Sequence, residues 1–103
     1  MLKKQYLADH ETCKVTFTID HGAAEEAEVV SLVGDFNDWN EEANSMKRRK
    51  SGGFSTTVKL PCGENYQFRY VIDGTIWEND AEADDYVPSP FGSDNSVVEL
   101  PTE

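Results

Sequence analysis

Positive charge is scarce in this chain: nine Lys and Arg stand against 20 Asp and Glu, leaving a net charge of −11. Such a chain repels phosphate backbones and anionic bilayers, so neither nucleic acid nor a membrane is expected as a partner. The one basic run, Lys47-Arg48-Arg49-Lys50, stops at Ser51-Gly52-Gly53 and reads as a solvated hairpin end. Cysteine is scarce too. Cys13 and Cys62 lack the close spacing of a metal or redox pair and are expected as free thiols. No apolar stretch approaches the roughly 18 residues of a membrane span. Residues 1–7 have the positive start of a secretory signal, but Ala8-Asp9-His10-Glu11 stands where its apolar run would follow. A cytoplasmic protein is the expectation.

Length excludes more. A chain of 103 residues is one domain by size, far short of the roughly 250 residues of a (β/α)8 barrel. Catalytic patterns are missing as well. His10 and His21 fall in a tail and a loop, both expected in solvent, with no nucleophile motif nearby. The acidic loop with Asp80, Glu82, Asp84 and Asp85 lacks the D-x-D-x-D-G pattern of a calcium site, so no metal or other cofactor is expected. These and the other loop acids are expected to stay hydrated and ionised, and no pair of them forms a recognisable glycosidase constellation. The chain reads as a non-enzyme.

What the chain does have is alternation. Val15, Phe17 and Ile19 interleave with Lys14, Thr16, Thr18 and Asp20, the period-two pattern of a half-buried strand. The segment from His21 to Ala27 reads as a loop, and Glu28 to Val33 as a strand ending at Gly34. A weak strand starts at Met46, and Phe54, Thr56, Val58 and Leu60 share one face of the next. Tyr66, Phe68, Tyr70 and Ile72 share a face of the clearest strand, with Gln67, Arg69 and Val71 on the other, closed by Asp73-Gly74. Tyr86-Val87 is a short extended piece, and Ser96 to Leu100 a last strand. Short strands with turn signals about every 8–12 residues predict an all-β, immunoglobulin-like β-sandwich of about seven to eight strands. Residues 1–12 read as an N-terminal arm or edge strand, and residues 13–103 as the domain.

Five ordered segments carry a resemblance: Val30-Ser31-Leu32-Val33-Gly34-Asp35-Phe36-Asn37-Asp38-Trp39, Leu60-Pro61-Cys62-Gly63-Glu64, Tyr66 to Gly74, Trp77-Glu78-Asn79-Asp80 and Phe91-Gly92-Ser93-Asp94-Asn95-Ser96-Val97-Val98. Together they resemble carbohydrate-binding module family 48, which includes the isoamylase-type N-terminal domains of glycogen branching and debranching enzymes and the glycogen-binding domain of AMP-activated protein kinase beta subunits. The resemblance implies a sandwich that grips α-1,4-linked glucan, glycogen- or starch-like. By position it implies Trp39 and Trp77 as stacking residues, Arg69 and Asn95 as hydrogen-bonding groups, Ser93 as a nearby polar residue and Phe91 as an apolar contact. Thr75-Ile76 puts one residue more before Trp77 than the kinase-subunit pattern has.

The residue chemistry agrees with that assignment. Glucose rings present apolar C–H faces that pack on flat aromatics, and a rim of hydroxyls that needs donors and acceptors. Arg69 alternates away from the Tyr66-Phe68-Tyr70 face, as a surface ligand group must. The bland alternative is that both Trp residues fill the core edge of a small β-domain. The alternative function is a protein-interaction module that has lost sugar binding and docks on a glycoside hydrolase family 13 type enzyme or regulator. A third reading has the chain restore substrate targeting to a separately encoded glucan-metabolising enzyme.

Overall fold

A computed structural model of the chain describes residues 1–90 and 92–102, with Ala23 described in its backbone only. Among the described residues the alternating segments form β1 (Leu2–Tyr6), β2 (Thr12–Ile19), β3 (Val30–Gly34), β4 (Lys47–Arg48), β5 (Phe54–Pro61), β6 (Glu64–Ile72), β7 (Ile76–Glu78), β8 (Asp85–Pro88) and β9 (Asp94–Leu100). The expected seven to eight strands become nine. At two residues β4, and at three residues β7, are too short to show a period of their own.

The first sheet has the order β1-β2-β5-β4 and the second β3-β6-β9-β8, with β7 pairing with β6 beyond the end of β9. The pairings are antiparallel, and the two sheets face each other as an immunoglobulin-like sandwich. Within residues 1–12, β1 runs along β2 with Leu2 opposite Phe17 and Tyr6 opposite Cys13.

Alternation decides what goes inside. Phe68 and Tyr70 of β6 and Val15, Phe17 and Ile19 of β2 are all buried in the core cluster. The Phe17 ring meets Phe68 edge-on at 5.0 Å, and Phe68 meets Tyr70 the same way at 5.7 Å. Each such pair adds about 0.5–1.5 kcal/mol beyond the area it buries. The two thiols are not joined: Cys13 is buried and Cys62 half-buried.

Three expectations need correction. The segment from His21 to Ala27 is not a plain loop, because Gly22–Glu26 winds into a 3-10 helix. Ala24 and Ala27 are three residues apart, one 3-10 turn, and both are buried. His21, expected in solvent, is half-buried, with its Nδ1 3.7 Å from the Glu78 carboxylate. Asp80, expected as a hydrated loop acid, is only 1% exposed. Its carboxylate accepts from the Tyr70 hydroxyl (2.6 Å), the Glu82 amide (2.7 Å) and the Met1 amino group (2.5 Å), contacts that offset the cost of removing it from water. In the basic run Lys47 and Lys50 are exposed, but the Arg48 guanidinium lies over the Phe54 ring at 4.8 Å and donates to the Ala27 carbonyl (2.5 Å).

Candidate functional site

The second sheet buries apolar residues on both sides. On its outer face, away from the core, Gln67, Arg69 and Val71 of β6 stand opposite Val97, Val33 and Trp77 in turn. Val33, Val71 and Val97 are buried although they lie outside the core cluster. A two-sheet sandwich ordinarily shows water a polar outer face. Here an open groove of about 630 Å³ crosses that face, lined by Trp39, Trp77, Asp35, Gln67, Arg69 and Asn95. Ser89 and Pro90 complete its rim.

Trp39 is placed by a tight loop. A side chain at Gly34 would meet the Gln67 carbonyl at 2.5 Å and the Phe36 ring at 2.9 Å, so β3 closes against β6 only with glycine there. Asp35–Asn37 then forms a single 3-10 turn. The Asn37 side chain staples it, accepting from the Gly34 amide (3.0 Å) and donating to the Leu32 carbonyl (2.9 Å) and to Asn44 Oδ1 (2.8 Å). The Trp39 amide donates back to the Gly34 carbonyl at 3.0 Å. Asp38 and Trp39 both adopt left-handed backbone, with φ of 56° and 58°. For non-glycine residues that costs roughly 1–2 kcal/mol each, and such outliers gather at functional sites. The half-buried indole donates from Nε1 to Asp35 Oδ1 at 3.3 Å. Phe36 turns inward, its ring 5.7 Å from Phe17.

Trp77 comes from a hairpin. Ile72 pairs with Ile76, and Asp73, Gly74 and Thr75 make the turn, with φ of 51° at Asp73 and 71° at Gly74. Trp77 stands opposite Val71, on the face that carries Arg69, and is 43% exposed. Asp80 anchors the chain just beyond: its amide donates to Ser96 Oγ (2.9 Å), whose hydroxyl donates to Asn79 Oδ1 (2.8 Å). Burial, with the Asp80 carboxylate alongside, pushes the Tyr70 hydroxyl well above its usual pKa, so it stays a donor to Asp80.

Between the indoles runs a polar row. Arg69 Nε donates to Asn95 Oδ1 at 2.6 Å, and its Nη2 donates to Ser93 Oγ at 2.8 Å and Ser89 Oγ at 3.3 Å. Asn95 Nδ2 donates to Gln67 Oε1 at 2.9 Å, and the Gln67 backbone N–H donates to Asp35 Oδ2 at 2.8 Å. Of the residues expected from the sequence, Trp39, Trp77, Arg69 and Asn95 share the groove, and Ser93 joins them through Arg69. Asn95 is 8% exposed, so most of its amide is spent inside the protein. Phe91 lies outside the described residues. Sequence reasoning missed Asp35, Gln67 and Ser89. The signal for Gln67 was its period-two offset from Arg69; nothing local marked the other two.

The chemistry on offer is stacking and hydrogen bonding. Among the described residues Asp35 is the one carboxylate lining the groove, and each of its oxygens already takes an internal N–H. Among the described residues no group of three His, Cys, Asp or Glu could hold a metal ion, and no helix is long and apolar enough to cross a membrane.

Fold and groove define a class: a small immunoglobulin-like β-sandwich with an open, tryptophan-lined groove on one sheet face. The model of carbohydrate-binding module 48 (isoamylase N-terminal domain) matches residues 13–91, and the chain belongs to that family. Over 70 residues it is 36% identical to the 1,4-alpha-glucan branching enzyme GlgB of Novosphingobium aromaticivorans, a match covering 67% of this chain and 9% of that enzyme. Among solved structures it resembles the enterobactin esterase FES from Shigella flexneri. One structure, in the presence of 2,3-di-hydroxy-N-benzoyl-serine, superimposes with a TM-score of 0.76 at 15% identity, over 97% of this chain and 32% of the esterase. Another, in the presence of enterobactin, gives 0.77 at 16%, over 97% and 33%. At such identities the likeness is one of fold.

Proposed function

We propose that this chain is a non-catalytic module that binds linear α-1,4-glucan, glycogen- or starch-like, in the groove on its second sheet. The observation that carries the reading is the meeting of Trp39 and Trp77, 38 positions apart in sequence, on either side of one row of hydrogen-bonding groups. Two indoles offer flat apolar surface to successive sugar rings, and Arg69 offers donors to their hydroxyls. Membership of a carbohydrate-binding family and a branching-enzyme relative support the same ligand class. The chain spans 9% of that enzyme, and in this reading the module supplies glucan binding rather than chemistry.

Hydrolysis by the groove itself is disfavoured by its carboxylate count. A glycosidase needs two acids flanking one bond, about 5–5.5 Å apart for retention or 6.5–9.5 Å for inversion. Among the described residues lining the groove, the carboxylates number one, Asp35. Shallow stacking sites are expected to yield about −4 to −8 kcal/mol, millimolar to micromolar affinity. Calorimetric titration with maltoheptaose, against cellohexaose as the β-linked control, tests the reading. Preference for maltoheptaose supports it; equal or absent binding to both overturns it and leaves the protein-interaction alternative.

A further inference from the structure

The donor–acceptor sense of the polar row is fixed from one end. A guanidinium can only donate, so the Asn95 atom that meets Arg69 Nε at 2.6 Å is its oxygen. The Asn95 amide is thereby oriented, and its Nδ2 faces Gln67. That nitrogen can only donate, so Gln67 meets it with Oε1, at 2.9 Å. Gln67 lines the groove and is half-buried, and among the described residues no hydrogen bond takes up its Nε2. With Oε1 committed, Nε2 is what Gln67 has left for a ligand.

From this relay we infer that Gln67 is a further ligand-binding residue, a hydrogen-bond donor to a glucan oxygen, whose polarity Arg69 dictates through Asn95. The inference rests on the glucan reading and deepens it. Asn95 becomes a positioning residue: it is nearly buried and transmits an orientation. Gln67 and Arg69 together make the groove floor a donor strip, which selects ligands presenting hydroxyl or ring oxygens as acceptors at that depth. An unpaired amide donor closed in by an apolar ligand would lose its water without compensation, so the same strip rejects purely apolar ligands.

Two substitutions at Gln67 separate donating from bracing. Gln67→Glu keeps an acceptor oxygen for Asn95 and removes the donor. Gln67→Met removes both. Titrated with maltoheptaose, Gln67→Glu should weaken binding about fivefold, the value of roughly one net hydrogen bond, with an unchanged melting temperature. Gln67→Met should weaken binding at least as much and also lower the melting temperature, because Asn95 Nδ2 is left unpaired. Asn95→Asp provides a test that leaves position 67 intact. An acceptor-only side chain at 95 turns Gln67 around to donate to it, so Oε1 faces the groove, and binding should fall about as far as in Gln67→Glu. Wild-type affinity in Gln67→Glu would overturn the inference while leaving the glucan reading standing. Absence of binding by the wild-type chain would overturn both.

Discussion

The two sheets of this sandwich share a core yet show water opposite kinds of face. On the first sheet the outward residues include Lys3, Gln5, Lys14, Thr16, Thr57 and Lys59, with a shallow depression of about 130 Å³ among them. Lys14 stands directly opposite Lys59, and the Thr16 and Thr57 hydroxyls pair at 2.9 Å. The strands of that sheet hold Lys3, Lys4, Lys14, Lys47, Arg48 and Lys59 and no acid at all. On the second sheet buried valines share the outward positions with Gln67 and Arg69, and two tryptophans line the groove across them. The loops after β3 and β8, with β7 beside β6, bring Trp39, Ser89 and Trp77 to its outer face. The contrast shows that the grooved face is made by apolar residues on the side of a strand that should be wet, and by the segments that cover them.

The sharpest way to test that contrast is to mutate adjacent residues of β6. Phe68 points into the core and Arg69 into the groove. Phe68→Ala should cost about 3–5 kcal/mol of stability, measured by urea unfolding, while the remaining folded protein keeps its glucan affinity. Trp39→Ala and Trp77→Ala should reverse the pattern, each weakening glucan binding by about 1–3 kcal/mol, taking base–aromatic stacking as the guide. For Trp77, 43% exposed, the fall in stability should stay well below the core value. A core-sized loss there would return that indole to a structural role.

A third effect lies inside the sandwich. The folded chain holds the Tyr70 proton at a pH where the unfolded chain releases it, since burial and Asp80 raise its pKa above the ordinary 10.0. Its contribution is therefore complete below about pH 10 and declines as pH rises from there toward the folded value. Tyr70→Phe should lower stability at neutral pH by about 1–3 kcal/mol, because Asp80 loses a donor. It should also flatten the alkaline fall. Thermal melts of both proteins from about pH 8 to 11 measure this, and parallel alkaline limbs would refute the assignment to Tyr70. The smallest effect belongs to the bare face. Lys14→Thr should raise stability by about 0.2–1 kcal/mol by removing a like-charge pair. Glucan affinity should not change, and a marked drop would mean that the first sheet also meets the ligand.

How much of this the sequence disclosed depended on the range of the interaction. β2, β5 and β6 were legible because each writes a period of two over eight or nine residues. Trp39 and Trp77 were legible through motifs that each fit in a single loop or hairpin. Asp80 was misread because its partner Tyr70 lies ten residues back on another strand, and an acid between two other acids looks hydrated. Asp35 was missed for the same reason at longer range: its contact with the Gln67 amide spans 32 residues. Asn95 could be named from its motif, but its burial depends on Arg69 and Gln67 from a neighbouring strand. Local chemistry wrote the strands, and pairing across strands wrote the groove.

The left-handed pair at Asp38 and Trp39 has a consequence for how such a module can evolve or be improved. Asp38→Gly would relieve a backbone cost of roughly 1–2 kcal/mol, and the same change at Trp39 would relieve as much again while deleting the indole. Selection for heat tolerance alone would therefore favour flexible residues at both positions. A population under that pressure drifts toward a sturdier sandwich with a blunted groove, and nothing in a melting curve reports the loss. Only screening each variant for glucan binding as well as for stability keeps the loop as it stands.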